Sequence, residues 1–166
     1  KAGVLVELKY YGHDVRLEER VVEIVEAARM AEQTKFMSLK RNGVAKLKAL
    51  RPQWRVGQLF SVTAGPSRRL EGDFLAVNAS FASRALIQKT HRGGREIYVW
   101  TVDDPMMMSA LISRGVDGVI TNVPATARSV LAERDDIPPL SRLLVDLADR
   151  LRISPPHPLR RLDDTP

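Results

Sequence analysis

Hydrophobic and polar positions along this chain alternate in short blocks. Six runs of four to seven residues are apolar and rich in β-branched or aromatic side chains, which is typical of strands and too short for helices. These runs cover residues 4–9, 35–39, 56–62, 74–78, 97–102 and 118–121. Stretches with helical spacing lie between most of them. The pattern therefore predicts βαβ units and a mostly parallel sheet.

Three helix starts can be read from the same pattern. Five apolar residues over 17–28 are spaced to form one stripe, and Asp14 is placed to cap the start of that helix. Near residues 105 and 124 a polar residue, Asp104 or Asn122, stands just before a proline. A polar cap followed by proline in the first turn is typical of helix starts, so helices are predicted at both places.

The first strand carries an unexpected pair of charges. In an extended chain Val4, Val6 and Leu8 share an apolar face, whereas Glu7 and Lys9 lie on the other face with Leu5. A charge inside an apolar strand costs several kcal/mol unless it is matched or binds a ligand. The residues alone leave two interpretations open, a structural ion pair at a strand end and a binding site.

Composition narrows the class of protein. The chain has 166 residues, 44% hydrophobic and 28% charged, as expected for one soluble globular domain. It has no cysteine, which excludes disulfides and cysteine-based metal sites, and it has no apolar run near the length of a membrane span. The net charge of +6 favours anionic partners weakly, but the basic residues are spread along the chain, so nucleic acid is disfavoured as a partner.

The order of elements indicates a barrel. No Gly-rich phosphate loop opens any predicted helix, which disfavours a nucleotide-binding doubly wound sheet. The other common fold with alternating strands and helices is a (β/α) barrel, in which polar groups gather where the strands end. Glu7, Lys9, Asn78 and Trp100 all occupy such positions.

The last thirty residues differ in composition from the rest of the chain. After the two prolines at 138 and 139, leucines at helical spacing give way to a proline- and arginine-rich end. We expect residues 1–136 to form the barrel portion and residues 137–166 to form an amphipathic helix and a disordered basic tail. The helix is expected to pack on the body, with a membrane or partner surface as the alternative.

Several segments resemble the glycerophosphodiester phosphodiesterase family. "VELK" at 6–9, "YVWTVDDP" at 98–105 and "GVDGVITNVP" at 115–124 occur in the same order as in that family, and "FMSLKRNGV" and "WRVGQLF" between them are also similar. The resemblance covers roughly residues 3–133. The segment "ELKYYGHD" at 7–14 is similar to the corresponding segment of a bacterial subgroup that carries a membrane-spanning region before the catalytic domain.

The resemblance implies an α/β fold, a (β/α)8 TIM-type barrel. It also implies hydrolysis of glycerophosphodiesters to an alcohol and glycerol 3-phosphate with a divalent metal ion, Mg²⁺ or Ca²⁺. It implies that Glu7 is a metal ligand, that Lys9 contacts the phosphate and that Trp100 lines the substrate pocket. A hard cation and an ammonium group can together neutralise a phosphodiester, which makes sense of the charged pair.

The chain departs from the family pattern at three positions. Leu5 and Asp103 stand where the family usually or often has Asn, and Asn122 stands where Asp is common. "HRGG" at 91–94 looks like the family's catalytic H-R-G motif, but it precedes a predicted strand instead of ending one. We interpret that match, and with it His91, as coincidental.

The family's acid-base histidines and its E-x-D metal pair are not found in this sequence, so the catalytic residues are unknown. We expect the chain to be the C-terminal two-thirds of the catalytic domain and an incomplete barrel, since an eight-stranded barrel needs about 250 residues. It begins with Lys1 in mid-strand, which also indicates a processed or excised piece.

An incomplete barrel should be inactive alone and should hide its open edges by forming a homo-oligomer. Membrane association through a preceding region is a further expectation. The rival hypothesis is a non-catalytic module that binds an anion or a lipid. Localisation, metal identity and the preferred alcohol are not predicted.

Overall fold

The computed structural model describes residues 3–12, 15–60 and 72–136, together with Leu147. Six parallel strands form one sheet in the order in which they occur along the chain. They are β1 Val4–Leu8, β2 Thr34–Ser38, β3 Arg55–Phe60, β4 Phe74–Asn78, β5 Glu96–Trp100 and β6 Gly118–Val119. The six predicted strands and their parallel arrangement are confirmed, and the last two residues of the third prediction lie outside the described residues.

An α-helix follows every strand except β3, after which residues 61–71 lie outside the described residues. The helices are α1 Leu17–Ala27, α2 Arg41–Leu50, α3 Arg84–Arg92, α4 Pro105–Arg114 and α5 Pro124–Asp136, and short 3₁₀ turns cover Ala31–Gln33 and Ala79–Phe81. Sequential parallel strands separated by helices are the arrangement of an incomplete (β/α) barrel, as predicted.

The structure confirms one of the predicted helix caps and leaves another untested. The Asp104 carboxylate caps α4 by accepting the Met107 N–H at 2.7 Å, so that prediction is confirmed. Asp14 lies outside the described residues, and Arg16 occupies the N-cap position of α1 without a side-chain capping bond. The helix and tail predicted over 137–166 also lie outside them, apart from Leu147.

The sheet buries both of its faces. On one face β1 to β3 pack against α1 and α2 around Phe36, Leu47 and Val56, and β4 to β6 pack against α3 to α5 around Ile97 and Leu111. The opposite face, called the inner face below, carries a third cluster: Met37, Leu59, Phe74 and Ala76, with Tyr98, Trp100 and Ile120 packed against it. This division follows from the alternation of side chains along each strand.

One glycine makes the inner face possible. A methyl group at Gly57 would lie 2.2 Å from the ring of Phe74, its register partner on β4, and Phe74 is fully buried. The phenyl ring therefore fills the space that a side chain on β3 would take. Among the described helices, none is long and apolar enough to cross a membrane.

Candidate functional site

Glu7 and Lys9 meet at the carboxyl end of β1. The Lys9 ammonium lies 3.6 Å from the Glu7 carboxylate, and the two side chains are 59% and 24% exposed respectively. Glu7 is paired in register with Met37 of the inner-face cluster, so its side chain belongs to that face. The local pairing of these charges agrees with the sequence pattern. The cation remains accessible to an incoming anion.

Trp100 ends β5 on the same face. Its side chain packs against the inner-face cluster and is half-buried. In the described part of the chain its indole Nε1 is buried without a hydrogen-bond acceptor. A buried donor without a partner is costly, so such a group marks a place where a ligand acceptor would be favourable.

The register of the sheet relates Trp100 to Glu7. Following the paired residues from Glu7 through Met37, Gly57 and Phe74 leads to Glu96 at the start of β5. Trp100 lies four residues further along, at the carboxyl end of β5. Glu7 and Trp100 therefore both lie on the inner face, toward the carboxyl ends of their strands.

The carboxylates of the described residues do not form a metal site. Within residues 3–12, 15–60 and 72–136 no three His, Cys, Asp or Glu side chains are grouped so that they could hold a metal ion. Ca²⁺ takes six to eight oxygen ligands, and Mg²⁺ is usually held by one or two carboxylates together with substrate phosphates and waters. Glu7 fits as one such ligand, but by themselves the described residues do not fit the ion.

His91 and Ser38 have structural partners of their own. The Nε2 atom of His91, at the end of α3, lies 2.8 Å from the Asp117 carboxylate, which also accepts the Ile97 N–H near the start of β5. That is the opposite edge of the sheet, as expected for a coincidental motif. Ser38 is buried, and its hydroxyl donates to the Leu8 carbonyl. His13 lies outside the described residues.

A bonded pair that sequence reasoning missed joins the turns after β5 and β6. The Asp103 carboxylate accepts hydrogen bonds from the Asn122 N–H at 2.8 Å, the Asn122 side-chain amide at 2.9 Å and the Thr121 hydroxyl at 2.8 Å. The Asn122 backbone N–H, followed by these side chains, lowers the pKa of Asp103.

The two departures from the family pattern at Asp103 and Asn122 therefore concern one contact, in which acid and amide have exchanged places. The helix after Asn122 starts at Pro124 as predicted, but the Asn122 amide donates to Asp103. The reciprocal nature of the two departures was the signal that could have revealed the contact.

A second missed group lies at the amino-terminal end of the inner face. The Glu96 carboxylate accepts from the Lys35 ammonium at 3.0 Å, the Arg55 guanidinium at 2.8 Å and the Tyr98 hydroxyl at 2.8 Å, and Lys35 also contacts Tyr98. Burial would raise the pKa of Glu96, but the bonds from Lys35, Tyr98 and Arg55 outweigh it and lower the pKa to about 2. This network ties three strands together at the end opposite the Glu7–Lys9 pair.

Comparison with known proteins identifies the family. The model of the glycerophosphoryl diester phosphodiesterase family matches residues 5–126. The chain belongs to this family.

Two named relatives match parts of the chain. A member from Mycobacterium tuberculosis (strain ATCC 25618 / H37Rv), named as a probable glycerophosphodiester phosphodiesterase 2, is 38% identical over 52 residues, which are 31% of this chain and 20% of the relative. The Bacillus subtilis (strain 168) protein YhdW, provisionally named as a glycerophosphodiester phosphodiesterase, is 23% identical over 131 residues, 75% of this chain and 54% of its own.

Solved structures show the same fold. A glycerophosphodiester phosphodiesterase from Parabacteroides distasonis superposes with a TM-score of 0.70 at 23% identity, covering 80% of this chain and 58% of that chain. A phosphodiesterase from Oleispira antarctica, solved with the product sn-glycerol-3-phosphate, gives a TM-score of 0.69 at 21% identity, covering 78% and 55%. The chain spans about half the length of these structures, so the incomplete barrel predicted from sequence agrees with family and fold.

Proposed function

We propose that this chain is part of an enzyme that hydrolyses glycerophosphodiesters to an alcohol and glycerol 3-phosphate. Its membership of the family supports this proposal, and so does the product bound to the Oleispira antarctica relative. The observation that carries it is the Glu7–Lys9 pair on the inner face, together with the unpartnered indole N–H of Trp100.

Lys9 is proposed to bind the phosphate. Its side chain is 59% exposed, and its ammonium lies 3.6 Å from the Glu7 carboxylate, which it could leave to donate hydrogen bonds to the anionic oxygens of a phosphodiester. Trp100 is proposed to donate its Nε1 hydrogen to an oxygen of the substrate and to cover the glycerol moiety with its ring. Both groups bind and orient the substrate.

Glu7 is proposed as one ligand of a divalent ion, Mg²⁺ or Ca²⁺. Such an ion, when bound, would neutralise the charge of the phosphodiester. The described residues supply one carboxylate here, so further ligands and the acid-base groups would come from outside them. We therefore expect this chain to supply part of a site and to be inactive alone.

Binding of sn-glycerol 3-phosphate, measured by titration calorimetry, tests the roles of Lys9 and Trp100. Lys9→Gln is expected to weaken binding about tenfold, since a hydrogen bond from a charged group contributes about 1.5–3 kcal/mol. Trp100→Phe keeps an aromatic ring and removes the donor, so it should weaken binding by about fivefold. The control Lys89→Gln changes an exposed lysine of α3 and should leave binding unchanged. Equal affinities for Lys9→Gln and Lys89→Gln would refute the phosphate role.

Hydrolysis of glycerophosphocholine with and without Mg²⁺ or Ca²⁺ tests the partial site. No turnover above background is expected from this chain. Turnover would show that the site is complete and would require acid-base groups among its own residues.

Self-association also remains a prediction. β1 is an edge strand of the described sheet, and Val4 and Leu5 on it are 40% and 36% exposed. Exposed strand edges are normally covered in natural proteins, which supports the proposal that copies of the chain associate. Sedimentation velocity is expected to show a species larger than the monomer, and a compact monomer at all concentrations would contradict it.

A further inference from the structure

Lys9 lies just past the last paired residue of β1. The register between β1 and β2 ends at Leu8, which is paired with Ser38. The ladder between the two strands therefore fixes Leu8. The direction that Lys9 takes depends also on how the chain is held immediately after it.

Tyr10, the next residue, is anchored on the opposite face of the sheet. Its half-buried ring packs against the cluster that contains Phe36 and Leu47, on the face covered by α1 and α2. Its hydroxyl donates a hydrogen bond at 2.5 Å to the carboxylate of Glu18 on α1. The chain after β1 is thus attached to a helix through the tyrosine side chain.

Glu18 is a buried carboxylate that the proposed hydrolysis does not use. Its side chain is 6% exposed, and it also accepts a hydrogen bond at 3.0 Å from Lys46 of α2. Burial would raise the pKa of Glu18, but hydrogen bonds from Tyr10, from the Glu18 backbone N–H and from Lys46 outweigh it and lower the pKa. Glu18 is therefore charged at neutral pH, and it ties the Tyr10 hydroxyl to both helices.

A glycine in the first turn of α2 makes room for this anchor. A methyl group at Gly43 would overlap the hydroxyl end of the Tyr10 ring. Glycine inside a helix is unfavourable relative to alanine, and the Tyr10 side chain accounts for its presence here. The Lys40 ammonium, just before α2, lies 4.5 Å from the centre of the same ring. Tyr10 is thus held by contacts from α1, from α2 and from the residue that precedes α2.

We propose that Tyr10, through its bond to Glu18, is a positioning residue for Lys9. Neighbouring side chains of an extended chain point to opposite faces, so a tyrosine fixed on the helix-covered face directs the preceding lysine to the inner face. Lys9 does pair there with Glu7, at 3.6 Å. This role rests on the proposed binding of phosphate by Lys9, and it adds the residues that hold the lysine in place.

Nuclear relaxation of the ¹⁵N-labelled Lys9 backbone amide tests the anchor without any ligand. The unchanged chain should give an order parameter near the rigid value of about 0.85. Tyr10→Phe keeps the ring and removes the hydroxyl, and Glu18→Ala removes its acceptor, so both should lower the order parameter toward the flexible value of about 0.6. Glu18→Gln keeps an oxygen that can accept from Tyr10 and should recover most of the loss.

The matched control is Glu26→Ala. Glu26 lies near the other end of α1 and accepts hydrogen bonds from Arg51, which follows α2, so this variant breaks another carboxylate contact between the same two helices. It should leave the order parameter of Lys9 unchanged. Circular dichroism of each variant confirms that it is folded.

Gly43→Ala separates positioning from helix stability. Alanine is the better helix former, so a role of Gly43 in the helix alone predicts no loosening at Lys9. Displacement of the Tyr10 ring by the added methyl group predicts a lower order parameter, as in Tyr10→Phe.

Binding of sn-glycerol 3-phosphate, measured by titration calorimetry, tests the consequence for phosphate recognition. Tyr10→Phe should weaken binding about fivefold. In a chain that already carries Lys9→Gln, the same substitution should change the affinity by less than about twofold, because Tyr10 acts through Lys9. A merely structural role would lower the affinity equally in both chains.

Three results would overturn the proposal. The first is an unchanged order parameter of Lys9 in Tyr10→Phe, and the second is an equal loss in Glu18→Ala and Glu26→Ala. The third is a loss of affinity in Tyr10→Phe that persists in full when Lys9 has been replaced. Failure of the unchanged chain to bind sn-glycerol 3-phosphate would instead refute the proposed function, and the order parameters would still decide whether Tyr10 holds Lys9.

Discussion

Glu96 is expected to stabilise the fold in a way that depends on pH. Its carboxylate accepts hydrogen bonds from Lys35, Arg55 and Tyr98, which come from β2, β3 and β5. Glu96→Gln keeps the size of the side chain and removes the charge. The variant therefore leaves two cations close together at the amino-terminal end of the inner face.

The expected loss of stability follows from the pKa of Glu96. A pKa lowered from its ordinary value of 4.5 to about 2 corresponds to about 3 kcal/mol of unfolding free energy for a fully buried group. The Glu96 side chain is 35% exposed, so solvent screening reduces this contribution to about 1–2 kcal/mol. Because the pKa is lowered in the folded state, the contribution is complete above about pH 5 and is lost as the pH falls toward 2.

Urea unfolding followed by tryptophan fluorescence measures this effect. At pH 7 the Glu96→Gln variant should be about 1–2 kcal/mol less stable than the unchanged chain, and the two should converge between pH 4 and pH 2. Glu133→Gln changes an exposed carboxylate of α5 and serves as the control. A difference that stays constant over this range of pH, or one no larger than that of the control, would refute the reasoning.

Two further predictions concern contacts that cross between strands or turns. Asp103→Asn or Asn122→Asp alone should each lower the free energy of unfolding by about 1 kcal/mol, because each breaks the hydrogen-bonded pair. The double variant restores an acid–amide pair, so thermal unfolding should show that at least half of the lost stability is recovered. Strictly additive losses in the double variant would contradict this. Gly57→Ala should cost about 1–3 kcal/mol because its methyl group would lie 2.2 Å from the Phe74 ring. The same substitution should cost less in a chain that already carries Phe74→Leu, and an unchanged cost in urea unfolding would argue against the clash.

The strands were predictable because their signal is local. A short apolar run bounded by helical stretches predicts a β-strand from the residues of that run alone. All six such runs form strands of one parallel sheet. The cap of α4 was predictable for the same reason, since Asp104 bonds a backbone N–H three residues away.

The proximity of the two charges in the candidate site could also be predicted from the sequence. Glu7 and Lys9 are two residues apart, so the alternation of a strand brings them to one face whatever surrounds them. The roles of metal ligand and phosphate contact came from the resemblance to the family and remain proposals. So does the role of Trp100 as a substrate contact.

The sequence by itself determined which residues form strands, which face each of their side chains takes, and the family to which the chain belongs. Only the tertiary structure decided which strands lie side by side and in what register. It also decided the side-chain contacts that join Glu96 to Lys35 across 61 positions and Asp103 to Asn122 across 19. The physical reason is that alternation fixes the side-chain direction within one strand, whereas a contact between strands depends on the packing of the whole sheet.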